Sequence, residues 1–359
     1  MKTVAEFQIR YQQLLDQSGK AVAELPAFAR DSDELLRMYR MMMLTRTFDT
    51  KAVNLQRTGK LGTYAPCVGH EATHVGVGAA MRPEDALFPY YREYGAQLWR
   101  GVSLAEIFIY WGGDERGNDF AVPRHDFPWS VPIASQVPQA AGAAMAFRIR
   151  KQPRCAVAFI GDGGTSQGAF YEAINLAGAK TLPLVTVIVN NGYAISMPVS
   201  EQSATQTLAQ KAIAAGIVGV QVDGNDILAV RAATAEALER GRTGKGATLI
   251  EAITYRLSDH TTADDASRYR EAAQLEAAWK VEPITRLRSY LHGLGAWDEA
   301  REKALRAECT REVEAALQIY LKHPKPSSDA MFEHLFARMP HGLEEQRATA
   351  RRFPAPDKH

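Results

Sequence analysis

Two short segments carry the residue types that phosphate and metal chemistry need. The first is Gly161-Asp162-Gly163-Gly164-Thr165-Ser166-Gln167-Gly168, directly after the apolar run Cys155 to Ile160. Where a buried strand hands over to a helix, glycines let backbone N–H groups approach an anion, and the helix N-terminus adds its dipole. The second is Asn190-Asn191, which ends the apolar run Leu184 to Val189, with 26 residues between Gly163 and Asn190. The Asp162 carboxylate and the Asn191 carboxamide are hard oxygen ligands at the ends of neighbouring strands, and beside phosphate-binding glycines they suit Mg²⁺. A nicotinamide-dinucleotide site fits poorly: Ser166 stands where G-x-G-x-x-G needs its third glycine. The acidic residue wanted about 20 positions on is also missing from the end of the next strand.

Two further segments have chemistry of their own. His70-Glu71-Ala72-Thr73-His74 is a literal H-E-x-x-H with Glu93 following after 18 residues, the ligand set of a zinc peptidase. The stretch from Arg256 to Arg270 holds Asp259, His260, Thr261, Thr262, Asp264, Asp265 and Arg268-Tyr269-Arg270. It is too polar for a core strand and predicts a loop near the same sheet edge as Asp162. A lone histidine in such a polar loop is more often simply solvated.

The elements that must position these residues follow from the apolar pattern. Short apolar runs at 155–160, 184–189, 217–222 and 248–253 alternate with helix-like segments at 167–179, 206–215 and 226–240. That alternation predicts an α/β fold, a parallel sheet with helices on both faces. Before it, residues 1–30 are mixed; Asp31 or Ser32 then caps a helix with apolar Leu35, Leu36, Tyr39, Met42, Met43 and Phe48, read as part of an N-terminal helical arm over 1–60. A second helix is expected near 71–81, and residues 113–130 read as a loop. The α/β domain is expected over 61–275 and a helical C-terminal extension over 276–359, with breaks at Pro283, His292-Gly293 and Pro324 to Pro326.

Composition limits the partners. Of 359 residues 46% are hydrophobic and 23% charged, and no run approaches the roughly 20 apolar residues of a membrane span. The net charge of +1 supplies no long-range field for nucleic acid or an anionic membrane. No apolar signal region follows Met1, so a cytoplasmic protein is expected. Cys67, Cys155 and Cys309 lie too far apart for a CxxC unit and read as packed thiols.

The Gly161-Asp162-Gly163 and Asn190-Asn191 pair resembles the thiamine diphosphate signature. With Phe170 to Asn175, Gly192 to Ser196, Asn54 to Arg57, Gly62 to Pro66, Pro89 to Gly95, Pro132 to Gln139 and His260 to Arg270, the chain is similar over about residues 30–340 to alpha subunits of the dehydrogenase component of 2-oxo acid dehydrogenase complexes. The resemblance implies a thiamine-diphosphate-binding fold, with Mg²⁺ held by Asp162, Asn191 and the Tyr193 carbonyl. It implies that the Gly163 and Gly164 amides, Tyr91 and Arg92 hold the diphosphate. A permanently charged guanidinium suits the roughly one negative charge that Mg²⁺ leaves on a diphosphate ester. Val131 to Ile133 would lie along the aminopyrimidine, with Ile133 bending the cofactor. Ser130, Pro132, Ser135 and Gln136 would form a monovalent-cation site, as in some relatives. His260 would act in catalysis, in acyl transfer to the lipoyl group, a task suited to a side chain titrating near neutrality, with Arg256 and Arg270 pairing to the aspartates of its loop.

The implied reaction is oxidative decarboxylation of a 2-oxo acid, with pyruvate expected and a branched-chain 2-oxo acid as the alternative. The acyl unit passes to a lipoylated dihydrolipoyl acyltransferase. A beta subunit completes the site, which implies an α2β2 heterotetramer. The rival readings are a cofactor-binding assembly subunit without catalysis and the zinc peptidase. One departure stands out: some relatives have a phosphate-reaching arginine directly before the asparagine pair, and this chain has Val189.

Overall fold

Alternating side chains in the apolar runs must bury both faces of a strand, and the fold satisfies this with two helical layers. The computed structural model describes residues 1–353. Its strands are β1 (Arg10–Gln12), β2 (Ala86–Phe88), β3 (Ala156–Gly161), β4 (Leu184–Asn190), β5 (Tyr193–Ala194), β6 (Met197–Pro198), β7 (Val218–Asp223) and β8 (Thr248–Ile253). Six form one sheet in the order β1-β7-β8-β4-β3-β2, with every neighbouring pair parallel. Strands β5 and β6 make a separate antiparallel hairpin.

The helices are α1 (Ser32–Arg57), α2 (Glu71–Ala80), α3 (Tyr94–Arg100), α4 (Leu104–Trp111), α5 (Gln136–Ile149), α6 (Gly168–Ala179), α7 (Val199–Gln202), α8 (Lys211–Ala214), α9 (Ile227–Arg242), α10 (Ala272–Lys280), α11 (Pro283–Gly293), α12 (Glu299–Lys322), α13 (Ala330–Glu333) and α14 (His341–Ala350). Val157 and Phe159 of β3, with Val185, Val187 and Val189 of β4, pack toward α1, α2 and α9. The alternate residues Ala156, Ala158 and Ile160, with Leu184 and Ile188, pack toward α5 and α6. The period of two read from the sequence thus becomes two cores, one on each face. Burial of β4 side chains on both faces explains its near-continuous apolar run.

The Asp31 carboxylate caps α1 by accepting from the Asp33 and Glu34 amides, as the sequence suggested. The N-terminal segment departs from the helical expectation. Residues 1–31 contain no α-helix, and Arg10–Gln12 instead adds a parallel edge strand beside β7. Buried Asp226 fastens this segment, accepting from the Leu14 and Leu15 amides at 2.7 and 2.6 Å. The three cysteines are free and buried, as expected. Among the described residues no helix is long and apolar enough to cross a membrane.

Candidate functional site

In a parallel sheet the strand ends that carry chemistry all point one way. Strands β3, β4 and β8 are neighbours, so the residues just beyond them, Asp162, Asn191 and Arg256, meet at one edge. A cleft of about 690 Å³ opens there, and Asp162, Gly163, Gly164, Asn191, Tyr193, Tyr91, Arg92, Ile133, Arg256 and His260 all line it. Val131 does not: it is half exposed and sits outside the cleft wall. Of the monovalent-cation set, Ser130 and Ser135 hydroxyls lie 2.5 Å apart and Ser135 donates to the Pro132 carbonyl. The Gln136 amide instead donates to the Phe159 carbonyl at 2.6 Å.

The glycines are there because nothing larger fits. A Cβ on Gly163 would stand 2.4 Å from Ala194 Cβ, and one on Gly164 would stand 2.7 Å from Ile160 Cγ1. Next to this cradle Asp162 is only 2% exposed and makes no ion pair among the described residues; its Oδ2 accepts from the Gln202 amide. Burial raises its pKa, because a lone carboxylate away from water favours its proton. Asn191 is buried, and its Oδ1 accepts from the Tyr193 amide at 3.2 Å.

Opposite charge stands across the cleft. Arg92 and Arg256 are each 1% exposed, and neither forms an ion pair with a carboxylate among the described residues. Arg92 donates to the Pro66 and His260 carbonyls. Arg256 donates to the Tyr193 and Ile195 carbonyls and the Tyr269 hydroxyl. Both also reach His260 Nδ1, at 3.3 and 3.2 Å. A guanidinium has no acceptor, so the Nδ1 lone pair must face them and the ring proton sits on Nε2. Burial first, then Arg92 and Arg256, push the His260 pKa down to about 3. In this state the ring is a neutral donor, not the group titrating near neutrality expected of it from the family resemblance.

The loop is ordered differently from expectation. Arg270 bonds the Arg256 and Ser258 carbonyls, not an aspartate. Asp264 accepts from the His260 amide and the Tyr269 hydroxyl, at 2.8 and 2.5 Å, and Asp259 accepts from the Ala266 amide. Val189 points into the core, fully buried, so Arg256 is the second guanidinium of the cleft. The donor set therefore fits a metal diphosphate: a buried carboxylate and a carboxamide for the cation, and a glycine cradle with two unpaired arginines for the anion.

Sequence reasoning missed three contributors. Arg256 was legible only as a loop residue, although its place just past a strand end was a signal. Gln202 and Lys211 gave none. Lys211 is buried and donates to the Thr165 carbonyl and hydroxyl at 2.9 and 3.0 Å. The Thr165 hydroxyl in turn donates to the Asp162 carbonyl.

The H-E-x-x-H pentad is not a metal site. Glu71 is fully buried; it pairs with Arg46 and accepts from the Gly69 amide at 2.9 Å, so it cannot act as a base in a cleft. Glu93 accepts from the Tyr90 and Arg92 amides. Among the described residues no three His, Cys, Asp or Glu side chains are grouped to hold a metal. His70 and His74 are buried with rings 5.5 Å apart.

Their burial has a consequence for pH. Desolvation, with the Arg92 charge, lowers the His74 pKa from 6.5 to about 3. Below pH 6.5 the unfolded chain takes up a proton there that the folded chain refuses. The wild-type protein should therefore lose about 1.4 kcal/mol of stability per pH unit relative to His74→Leu as pH falls from 6.5. Glu93, pushed up to about 7, and Asp49, pushed up to about 6, act with the opposite sign but are common to both proteins. Urea unfolding of both at pH 7, 6 and 5 checks this; parallel stability curves would show that His74 is not held neutral.

Comparison with known proteins agrees with this geometry. The family described as "Dehydrogenase E1 component" matches residues 39–328. The chain is 41% identical over 336 residues to the pyruvate dehydrogenase E1 component subunit alpha of Bacillus subtilis, covering 93% of this chain and 90% of that one. It is 42% identical over 340 residues to the 3-methyl-2-oxobutanoate dehydrogenase subunit alpha of Mycobacterium tuberculosis, covering 94% and 93%. The Acholeplasma laidlawii pyruvate dehydrogenase E1 component subunit alpha is 42% identical over 333 residues, covering 92% and 96%. A family match and full-length relatives that coincide with the buried Asp162 and its facing arginines leave one assignment: the chain belongs to the dehydrogenase E1 component family, among the alpha subunits of 2-oxo acid dehydrogenases.

Proposed function

We propose that this chain binds Mg²⁺ and thiamine diphosphate at the edge formed by β3, β4 and β8, and that it is the alpha subunit of a cytoplasmic α2β2 enzyme that oxidatively decarboxylates a 2-oxo acid. The observation that carries this reading is the charge arrangement: a buried, unpaired Asp162 facing buried, unpaired Arg92 and Arg256. Each is costly alone, because an ion taken out of water needs a partner. A metal diphosphate satisfies all three at once. Asp162, Asn191 and the Tyr193 carbonyl hold the cation; the Gly163 and Gly164 amides, Tyr91, Arg92 and Arg256 hold the phosphates. Reduced, buried thiols support the cytoplasmic setting.

When bound, the cofactor supplies the electron sink that side chains lack for cleaving a 2-oxo acid. The residues of this chain bind, orient and donate. Ile133 stands over the glycine cradle, its Cγ2 within 3.3 Å of where a Gly164 Cβ would be, which supports its role in bending the cofactor. His260 lines the cleft with its ring proton on Nε2, and it is the donor for acyl transfer to the lipoyl group of the acyltransferase. The mouth is half built: Ile133, Ile195 and Met197 are about half exposed around it, an apolar rim that a beta subunit would cover.

Pyruvate is the substrate first supported, by the Bacillus subtilis and Acholeplasma laidlawii relatives. The apolar wall of Ile133, Ile160, Ile195 and Met197 favours a second reading, a branched-chain acid. Steady-state kcat/KM of the αβ complex on pyruvate and on 3-methyl-2-oxobutanoate separates them, since pocket methylenes discriminate by about 10- to 200-fold. Preference for pyruvate is expected, and preference for the branched acid would transfer the assignment. A complex that binds the cofactor but releases no CO₂ from either acid would instead mark an assembly subunit.

A further inference from the structure

Asp162 has one neighbour that the reading above leaves unused. Gln202 ends α7 and lines the cleft, and its Nε2 donates both to Asp162 Oδ2 at 3.1 Å and to the Met197 carbonyl at 2.9 Å. Two acceptors on one nitrogen settle the orientation of the amide. Its Oε1 then lies over the cradle, 3.2 Å from where a Gly163 Cβ would be. We propose that Gln202 is the positioning residue of the metal carboxylate: its amide occupies Oδ2 of Asp162, so that only Oδ1 is offered to the cation.

The chemistry of the ion makes this useful. Mg²⁺ demands a small, near-octahedral shell at short distance, whereas Ca²⁺ is larger, tolerates irregular shells and readily takes a carboxylate through both oxygens. A donor fixed on one oxygen holds the carboxylate to single-oxygen binding and so selects for the smaller ion. The donor must also be neutral. A lysine at this place would pair with Asp162 and compete with the metal, and a glutamate would repel it. Ligating carboxylates are commonly held in this way by an outer hydrogen bond, and losing such a bond costs about 10- to 100-fold in metal affinity.

The same stretch of chain braces the loop a second time. Nine residues beyond Gln202, Lys211 Nζ bonds the Thr165 carbonyl and hydroxyl, and that hydroxyl bonds the Asp162 carbonyl. The side chain of Asp162 is therefore held by Gln202 and its backbone by Thr165 and Lys211. The 199–211 segment works as a clamp on the metal loop.

This inference rests on Asp162 being a metal ligand, and the experiment separates the two. Thiamine diphosphate binding to the αβ complex is titrated by calorimetry with Mg²⁺ and, separately, with Ca²⁺, for wild type, Gln202→Met and Asp162→Ala. Gln202→Met is expected to lose about 10- to 100-fold in Mg²⁺-supported affinity and several-fold less with Ca²⁺. Equal losses with both ions, or none, would make Gln202 a packing residue and overturn the inference while Asp162→Ala still loses binding. Retained binding in Asp162→Ala would instead remove the underlying reading. Should Gln202→Met fail to assemble, Gln202→Asn keeps the turn polar but does not span to Oδ2, and carries the same comparison.

Discussion

Replacing Asp162 should abolish cofactor binding and, at the same time, stabilise the metal-free protein. Mg²⁺ uses few protein ligands, and loss of even an outer partner costs about 10- to 100-fold. Asp162→Ala and Asp162→Asn should therefore weaken Mg²⁺·thiamine diphosphate binding by about 100-fold or more, as should Asn191→Ala if, as proposed, both residues serve one ion. Stability moves the other way. Burial raises the Asp162 pKa above its ordinary 3.8, so the folded state holds the proton more tightly than the unfolded one. Above that range the buried charge opposes folding, and the penalty fades as pH falls through the folded pKa toward 3.8. Asp162→Asn keeps the shape and an acceptor for Gln202 but removes the charge. Its metal-free melting temperature should exceed wild type at pH 7, with the gap narrowing toward pH 4. Calorimetric titration and thermal melts test both halves; unchanged cofactor affinity would remove the central proposal.

His260→Ala should separate the two half-reactions. The ring hangs from Arg92 and Arg256 through Nδ1, apart from the proposed ligands Asp162 and Asn191. Its loss therefore leaves Asp162, Asn191 and the glycine cradle intact. Cofactor affinity and decarboxylation measured with an artificial electron acceptor should stay within a few-fold of wild type. Acyl transfer to the lipoyl domain should fall by about 10²- to 10⁴-fold, the usual worth of a positioned proton donor. His260→Gln retains an N–H donor and should recover part of this. Burial, followed by Arg92 and Arg256, holds the ring near pKa 3; bound phosphates would offset the two guanidiniums, so the donor should be a stronger base in the loaded enzyme than in the free one. Wild-type rates in both half-reactions would make His260 structural.

Legibility in the sequence tracked the range of the interactions involved. Asp162 and Asn191 were readable because each follows an apolar run long enough to declare a strand, and parallel neighbours bring such ends together. Strands β1 and β2 have three residues each, too few for an alternation to show. Helix α3 lies among aromatic residues whose packing shapes it, whereas α4 carries a Ser103–Glu106 capping box and an apolar face that sequence reasoning missed although both were readable. Gln202 and Lys211 act only because the chain folds back onto the metal loop, a contact no local pattern announces. Val131, placed beside the cofactor by resemblance alone, lies outside the cleft wall that its neighbour Ile133 lines. The lowered His260 pKa was missed because the loop's polarity gave no sign that the ring would be buried, nor that Arg92 and Arg256 would converge on it.

The position of β8 bears on how the protein is made. It lies between β4 and β7, yet it is the last strand to leave the ribosome. Until residue 253 emerges, the nascent chain can hold only two fragments of sheet, β2-β3-β4 on one side and β1-β7 on the other, each with an open edge. Such edges invite pairing with other chains, and long-range parallel pairing is slow. Synthesis therefore delivers Arg92 and the proposed cation-binding pair Asp162 and Asn191 first, and Arg256 and His260 last. Chains truncated before β8 should carry Asp162 and Arg92 without Arg256 and without the finished sheet, making them substrates for chaperones and proteases instead of partners for assembly.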